Sequence, residues 1–357
     1  MKQARENWRG KIVTLQHVPL FPAGHVDCPY NYTNANEIIA EMRRNDIVLA
    51  ISGHYHEGFS LINDQGVNFL AAPALCETPF SFLEVDIING NVTAARHDLR
   101  LPEKLNLWDL HVHTQFAYCS ENMEVVKSME LARDFGLAGL TFAEHSGHLY
   151  FDKHTYWSKA CLQGGIETAQ KENERMEAYL AALADAGCRP QNTGLEADCC
   201  FDGKLLVRRA DIGRVRYLLG SVHALPALQK QQPDMGEIRD EFLNLTERLV
   251  HSGIHVLAHP FRVFNRAKFE AIDSFFDPMV SLLKEARVAA EINFHTQNPN
   301  PEFFRRCLAA GVQLALGSDA HNLYEIGEFT PHLALLRECG FNGDLNDILL
   351  NPGLTAS

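Results

Sequence analysis

Eight histidine and acidic residues of this sequence stand at the ends of short apolar segments. They are His111, His113, His145, Glu196, His223, His259, Asp319 and His321. Such side chains would be costly to bury on hydrophobic strands unless they shared a positively charged partner. Imidazole together with carboxylate suits zinc, manganese or iron better than calcium or magnesium, which prefer oxygen ligands alone. The residues therefore predict a centre of two or three divalent cations, with Zn2+ or Mn2+ as the first choice and Fe2+ as a further option.

The spacing of these residues suits metal binding from strands. Residues i and i+2 of a strand point to the same face, so His111 and His113 can reach one ion, and Asp319 and His321 repeat this arrangement. A carboxylate can bridge two ions with its two oxygens, at the separation of about 3.5 to 4 Å that is typical of two-metal hydrolases. We predict that Glu196 is this bridge.

A centre of this kind predicts hydrolysis of a phosphate ester by metal-activated water, since the cations also clamp the phosphoryl oxygens. His223 or His259 could protonate the leaving alkoxide. Arg262, three residues after His259, could offer a bidentate fork to the phosphate, with Arg266 in reserve.

The residues that could bind metal lie at or just after the ends of six of seven apolar segments that are typical of buried parallel strands. These segments are Leu107 to Val112, Ala138 to Ala143, Gln191 to Ala197, Arg216 to Val222, His255 to Ala258, Val288 to Asn293 and Val312 to Gly317. Helices are predicted at Glu121 to Phe135, Ile166 to Gly187, Met235 to Gly253, Phe275 to Glu285 and Pro301 to Ala310. The alternation predicts an α/β barrel or a doubly wound sheet. In a barrel the carboxyl ends of all strands meet at one face, which would bring the ligands together.

These strand-end motifs resemble those of a known family. The segments DLHVHT, FAEHS, GLEAD, LGSVHAL, VLAHPF, EINFHT and ALGSDAH closely resemble the successive motifs of the PHP family, named for polymerase and histidinol phosphatase, from about Leu107 to Gly327. The resemblance implies a distorted (β/α)7 TIM-like barrel, a two- or three-metal centre at the eight positions above, and phosphoester hydrolysis.

The chain departs from the family pattern after the first His-x-His motif, where the family usually places an aspartate or histidine ligand. Here the chain has Cys119 and Glu121, and either could fill that role. A thiolate from Cys119 would favour zinc, whereas Glu121 would suit manganese or iron. Neither need bind metal: Cys119 could be an inert buried thiol, and Glu121 a charge at the start of a helix.

The first hundred residues predict a separate, smaller α/β segment. Strands are predicted at Lys11 to Leu15, Asp46 to Ser52, Val67 to Ala71 and Phe82 to Ile88, with a helix at Asn34 to Arg44. From Ile12 to about Leu99 the chain resembles the carboxy-terminal half of calcineurin-like metallophosphoesterases, which implies His17, His54 and His56 as weaker metal candidates. The motifs that would supply the other ligands are missing, so this half domain is predicted not to complete a binuclear site alone. Three explanations stay open: a truncated or misassigned gene start, a decayed domain kept for folding, or completion by a partner chain or a homo-oligomer.

We accordingly divide the sequence into residues 1–104, the partial calcineurin-like segment with a linker at Arg96 to Asn106, and residues 105–357, the barrel with a C-terminal helical tail. Two segments, Ala224 to Gly236 and Ser146 to Gly165, are expected to border the mouth of the barrel and to set specificity. The aromatic residues Tyr150, Tyr156 and Trp157 of the second could stack on a base or cap the barrel.

Composition narrows the functional classes. The 32 Lys and Arg against 45 Asp and Glu give a net charge of −13, which disfavours sequence-independent binding to nucleic acid. No apolar run approaches the roughly 18 residues that span a bilayer, and no signal peptide opens the chain, so we expect a cytoplasmic protein. The nine scattered cysteines do not indicate a disulfide framework.

Taken together, these features predict a metal-dependent phosphoric ester hydrolase acting on a small phosphorylated metabolite. A sugar, amino-alcohol or nucleotide phosphate would fit, and histidinol phosphate is one candidate. One alternative is a phosphodiesterase or exonuclease acting on nucleotides or DNA ends. The other is a non-catalytic metal-binding module.

Overall fold

A computed structural model describes residues 1–25, 30–77, 79–99, 105–269 and 272–352 of the chain. The chain forms two compact units, Met1–Leu101 and Pro102–Ser357. No helix among the described residues is long and apolar enough to cross a membrane.

The first unit is built on a four-stranded mixed sheet with the strand order β1-β2-β4-β3. Its elements are α1 (Lys2–Asn7), β1 (Ile12–Gln16), α2 (Ala35–Arg44), β2 (Ile47–Ser52), β3 (Phe59–Asp64), β4 (Val67–Ala71), β5 (Ser81–Ile88) and β6 (Asn91–Asp98). Strands β1, β2 and β4 are parallel, and β3 runs antiparallel to β4. The apolar side chains Ile39 and Met42 of α2 belong to the same buried cluster as Phe69 of β4.

The helix and four strands predicted for this unit are present, and two further strands, β3 and β6, were not predicted. Both are polar and partly exposed, so neither shows a continuous apolar run. Strand β6 pairs with β5 through the tight turn at Asn89 and Gly90, whose positive φ angles suit a two-residue hairpin. Because β6 extends to Asp98, the predicted linker is shorter than expected, and residues 100–104 of it lie outside the described residues.

Seven parallel strands in chain order form the sheet of the second unit. They are β7 (Leu105–Val112), β8 (Leu137–His145), β9 (Thr193–Asp198), β10 (Tyr217–Ser221), β11 (Val256–Leu257), β12 (Ala289–Ile292) and β13 (Leu314–Leu316). The sheet curls until its last strand approaches its first: the Asp319 amide donates to the His111 carbonyl at 2.7 Å, and Val112 bridges Ala320. The predicted seven-stranded TIM-like barrel is therefore confirmed, nearly closed between β13 and β7.

Helices connect the strands of this unit and bury an apolar face. They are α3 (Val125–Asp134), α4 (Ser146–Tyr150), α5 (Lys153–Trp157), α6 (Ala160–Gly164), α7 (Met176–Asp185), α8 (Arg209–Ile212), α9 (Met235–Val250), α10 (Arg262–Arg266), α11 (Phe276–Ala286), α12 (Pro301–Ala310) and α13 (Thr330–Glu338). In α9, Ile238, Phe242, Leu245 and Leu249 recur at helical spacing and are buried. A separate cluster of strand residues, including Trp108, fills the barrel interior.

One predicted helix is considerably shorter than expected. The stretch from Ile166 to Gly187 forms two short 3-10 turns before α7 begins at Met176. Tertiary hydrogen bonds explain the late start, because the Arg175 amide donates to the Leu149 carbonyl at 2.7 Å and its guanidinium donates to backbone carbonyls. The predicted C-terminal tail contains α13 and a 3-10 turn at Leu345–Asp347, while residues 353–357 lie outside the described residues.

Candidate metal centre

All eight residues predicted as metal ligands converge at the carboxyl end of the barrel. Each lies near the carboxyl end of a strand or a few residues after it, and each is at most 9% exposed. His111, His113, Glu196 and Asp319 have no exposed surface at all. Convergence of ionisable groups in such a buried place requires partners for every one of them.

The Glu196 carboxylate on β9 lies at the middle of the group. Its Oε1 lies 2.7 Å from His259 Nε2 and 3.1 Å from His223 Nε2. Its Oε2 lies 2.5 Å from His145 Nδ1 and 3.5 Å from His111 Nε2. Because imidazole nitrogens face both oxygens, the geometry is compatible with the bridging role predicted for Glu196.

Asp319, just after β13, is the second carboxylate of the cluster. Its Oδ1 lies 2.9 Å from His113 Nε2 and 3.6 Å from His111 Nε2. The His321 Nδ1 lies 2.7 Å from the Asp319 carbonyl and 3.6 Å from the same Oδ1. The two His-x-His-like pairs of the sequence thus face each other across the closing strands β13 and β7.

Three further buried carboxylates hold the outer ring nitrogens of three histidines. The pairs are His111 Nδ1 with Glu291 Oε1 at 2.7 Å, His113 Nδ1 with Glu144 Oε1 at 3.2 Å, and His223 Nδ1 with Asp198 Oδ1 at 2.6 Å. A ring N–H donated to a carboxylate fixes the tautomer and leaves the other nitrogen free for a metal. In all three cases this other nitrogen is Nε2, and it faces Glu196.

Reasoning from the sequence missed these three carboxylates, although a signal for them exists. Glu144 directly precedes His145, Asp198 lies two residues after Glu196, and Glu291 lies near the end of the sixth strand, which carries no predicted ligand. An acidic residue within two positions of a strand-end ligand, or near the end of a barrel strand without one, is therefore a candidate support for a ligand.

Buried polar atoms without a hydrogen-bond partner indicate whether these residues could bind a metal ion. Among the described residues, His111 Nε2, His145 Nδ1 and Glu196 Oε2 are buried and make no hydrogen bond. The close approach of His145 to Glu196 is not oriented as a hydrogen bond, so it does not satisfy either atom. Leaving such atoms unpaired is costly, and a cation among them would satisfy all three. The residues present therefore fit a metal centre.

Ligand atoms also group at the distances that a metal requires. The groups whose atoms lie within 4.8 Å of one another include His111, His113 and Glu196, then His145, Glu196 and His223, and then His113, His145 and His321. These groups share members, as expected for neighbouring ions with a common carboxylate.

The surrounding charges keep the two central carboxylates ionised. Burial alone would raise the pKa of Glu196, but the charges of His145, His223 and His111 outweigh it and hold this pKa well below its usual value. Burial likewise opposes ionisation of Asp319, and Arg262 with His111 holds its pKa well below the usual range. Ionised carboxylates are the form that binds cations.

Arg262 was predicted to bind the phosphate of the substrate, but in the structure its guanidinium binds two other side chains of the protein. It is only 2% exposed, and its Nη2 donates to Asn293 Oδ1 at 2.7 Å and to Asp319 Oδ2. The guanidinium thus fixes a candidate ligand, which makes the predicted phosphate fork less available. Arg266 is exposed and lines the same cavity, so the reserve position is better placed to meet a phosphate. Both roles stay predictions.

Cys119 and Glu121 both lie at the rim of the site. The Cys119 Sγ belongs to a group with ligand atoms of His145 and His148, and burial raises the pKa of the Cys119 thiol to about 12. Glu121 is exposed, and its Oε2 accepts a hydrogen bond from Asn322 at 2.7 Å. The helix that was expected to start at Glu121 begins at Val125, which removes the helix-dipole explanation for this charge. Neither residue is established as a ligand.

A cavity of about 270 Å3 opens onto the cluster. It is lined by Cys119, Glu121, His145, Tyr156, Trp157, Lys159, His223, Arg262, Arg266, His295, His321, Asn322 and Glu325. Of the two histidines predicted to protonate a leaving group, His223 lines this cavity and His259 does not. Tyr150 and Tyr156 are buried, as the capping interpretation expects, whereas Trp157 is 47% exposed.

Within the described residues, the histidines of the first unit form no comparable centre. His17 Nε2 lies 2.9 Å from His54 Nδ1, and His56 Nδ1 lies 2.6 Å from Glu77 Oε1. All three histidines are exposed. No group of three candidate ligand atoms within the described residues includes any of them. The calcineurin-like interpretation of residues 1–104, with its metal site, stays a prediction.

Comparison with known proteins identifies the family of the barrel unit. A family model described as "PHP domain" matches residues 109–295, just over half of the chain. The chain therefore belongs to the PHP family, as its motifs predicted, and it is a hydrolase that acts on phosphate esters. The PHP phosphatases are metal-dependent, in agreement with the fit of the cluster to cations.

Two known proteins are similar to this chain. A Deinococcus radiodurans protein described as "Probable histidinol-phosphatase" is 25% identical over 260 residues, which cover 66% of this chain and 94% of the relative. A solved structure from Listeria monocytogenes, described as the "putative histidinol phosphatase hisK", covers 62% of this chain and 97% of its own, with 12% identity and a TM-score of 0.46.

Proposed function

We propose that the barrel of this chain hydrolyses the phosphomonoester of a small metabolite with the help of two or three divalent cations. The observation that carries this proposal is the buried cluster around Glu196, in which the nearby ligand atoms of His111 and His145 find no hydrogen-bond partner among the described residues. Zinc, manganese and iron suit this set of imidazole and carboxylate donors.

The residues that would hold the cations are the two central carboxylates and the histidines that face them, apart from His223, whose proposed role is proton transfer. They are His111, His113, His145, Glu196, His259, Asp319 and His321, with Cys119 or Glu121 as further candidates at the rim. When bound, the cations would supply an activated water and offset the negative charge of the phosphoryl group.

The protein itself contributes orientation. Glu291 and Glu144 accept the outer N–H of His111 and His113, so neither ring can turn away from the cluster. Glu291 also accepts the His259 amide at 2.6 Å. Arg262 holds Asp319 from the side remote from His113, since it binds Oδ2 and leaves Oδ1 to the histidine.

His223 is the better placed of the two candidates to protonate the leaving oxygen. His223 lines the cavity, whereas His259 does not line it and contacts Glu196. Asp198 accepts the Nδ1–H of His223, and the Coulombic attraction of Asp198 and Glu196 exceeds the opposing effect of burial and raises the pKa of His223. A raised pKa keeps a proton available on Nε2 near neutral pH.

The size of the cavity favours a small substrate. A volume of about 270 Å3 accommodates a metabolite, whereas a nucleic acid would need an extended basic groove. The relative from Deinococcus radiodurans is described as a histidinol-phosphatase, so histidinol phosphate is one substrate to test first. The net charge of −13 also speaks against the exonuclease alternative.

The test compares hydrolysis of an aryl phosphate with that of its diester after reconstitution with manganese or zinc. We expect faster turnover of the monoester and its loss in Glu196→Gln, which preserves shape but removes the central charge. Glu285→Gln, at an exposed glutamate of α11, is the matched control and should behave as wild type. Faster turnover of the diester would favour the phosphodiesterase alternative. No turnover by folded, metal-loaded protein would reject catalysis.

A further inference from the structure

Both carboxylates that line the wall of the cavity, those of Glu325 and Glu121, already accept hydrogen bonds from the protein. Glu325 accepts hydrogen bonds from the backbone amides of His321 and Asn322, at 2.7 and 3.0 Å. Glu121 accepts one from the Asn322 side chain. Both carboxylates on this wall are therefore already used within the protein.

The cations on the same wall fall into two groups. Arg262 is committed to Asp319, whereas Lys159 and Arg266 form no ion pair or side-chain hydrogen bond in the part of the chain that the structure describes. When bound, the proposed cations would oppose the charge of the phosphoryl group that reacts, and Arg266 is available to assist them. Lys159 is therefore not needed to bind the phosphate that reacts, and its positive charge is available for another anionic group.

The ammonium group of Lys159 is held at the cavity by two aromatic rings. Its Nζ lies 4.7 Å from the centre of the Tyr156 ring and 5.6 Å from that of Trp157. Cation–π contacts orient an ammonium group without neutralising its charge, so it can still attract an anion. The backbone of Lys159 has φ +63°, a left-handed conformation that is uncommon for a residue other than glycine.

We propose that Lys159 is a specificity residue that binds a second anionic group of the substrate, either a phosphate or a carboxylate, apart from the ester that is hydrolysed. This inference rests on the proposed function, because it concerns the same cavity. It assigns a role to the helical segment Lys153–Trp157 and its continuation, which place Lys159 at the cavity against the buried Tyr156 and the exposed Trp157.

Two pairs of substrates test the proposal, and each pair differs in one anionic group. Fructose 1,6-bisphosphate against fructose 6-phosphate tests a second phosphate, and O-phosphoserine against O-phosphoethanolamine tests a carboxylate. We expect wild type to prefer the first member of one pair, measured as the ratio of the two kcat/KM values. In Lys159→Gln this ratio should fall at least about tenfold, because one hydrogen bond between charged groups is lost. The pair that responds identifies the anion.

Two variants control for effects on folding and on general charge. Lys159→Arg keeps the charge and should keep most of the preference. Lys153→Gln removes an exposed lysine of the same segment that does not line the cavity, and it should leave the preference unchanged. A wild type without preference in either pair, or an equal preference in Lys159→Gln, would overturn the proposal.

Binding measured by tryptophan fluorescence separates this inference from the proposed function. Trp157 is 47% exposed beside Lys159, so occupation of the subsite should change its emission, and Trp157→Phe should abolish that change. In the pair that responds, we expect the substrate with the second anionic group to bind more tightly than its partner in wild type but not in Lys159→Gln. This result would support the subsite even if no ester were hydrolysed. Equal binding of both members in both pairs to wild type would reject it.

Discussion

Replacing Gly317 by alanine should damage the metal centre without touching a ligand. Gly317 follows β13, and a Cβ built there lies 2.0 Å from Glu291 Oε1 and 2.8 Å from the His111 Cβ. Real Cβ contacts are essentially never closer than 3.0 Å, so the Glu291 carboxylate has to move by at least about 1 Å. That same oxygen accepts the Nδ1–H of His111 at 2.7 Å.

The magnitude follows from what Glu291 holds. Moving it weakens its hydrogen bonds to both the His111 ring and the His259 amide, and loss of such a support typically lowers metal affinity about 10- to 100-fold. Crowding in a packed core adds a destabilisation of about 1 to 3 kcal/mol. We therefore expect activity at limiting metal to fall by a similar 10- to 100-fold, with partial recovery at saturating metal.

The assay is a metal titration of the apoprotein, followed by aryl phosphate hydrolysis, with urea unfolding to measure stability. Gly213→Ala is the matched control, because φ is −74° at Gly213 and a Cβ there meets nothing within 4 Å. If Gly317→Ala bound metal as tightly as wild type, Glu291 would not be the support of His111 that the structure indicates.

Three further predictions concern neighbouring groups. Glu144→Gln should weaken metal binding about 10- to 100-fold in isothermal calorimetry, because the amide holds His113 less firmly; unchanged affinity would contradict this. His223→Asn should reduce hydrolysis of alkyl phosphates more than that of p-nitrophenyl phosphate, which needs no proton on its leaving group; an equal loss for both would argue against proton transfer. Burial lowers the pKa of His332 from 6.5 to about 4, so unfolding favours its protonation, and stability should fall by about 3 kcal/mol between pH 6.5 and 4. In His332→Gln this acid-side loss should be smaller by that amount in urea unfolding, and an identical pH profile would contradict it.

The strand-end residues of the barrel could be predicted because a parallel barrel brings all its carboxyl ends to one face. This rule needs only the position of a residue relative to an apolar run. It worked for His259 even though β11 contains just two residues, Val256 and Leu257. The family motifs added the barrel type and the reaction class.

The supporting interactions could not be predicted in the same way. Whether Arg262 faces solvent or Asp319 depends on the path of α10 after β11, and the sequence pattern does not determine that path. The contacts that Glu144 and Glu291 make with neighbouring strands likewise depend on the register between those strands. In the first unit, β3 and β6 escaped prediction because each is half exposed and stabilised by its neighbouring strand rather than by a continuous apolar run.

The most direct test of the metal centre is anomalous X-ray diffraction from crystals grown with manganese, recorded on wild type. We expect two or three anomalous peaks close to Glu196, among His111, His113, His145 and Asp319. Absence of a peak there from metal-saturated crystals, or peaks only at His17, His54 and His56, would contradict the assignment of the centre to the barrel.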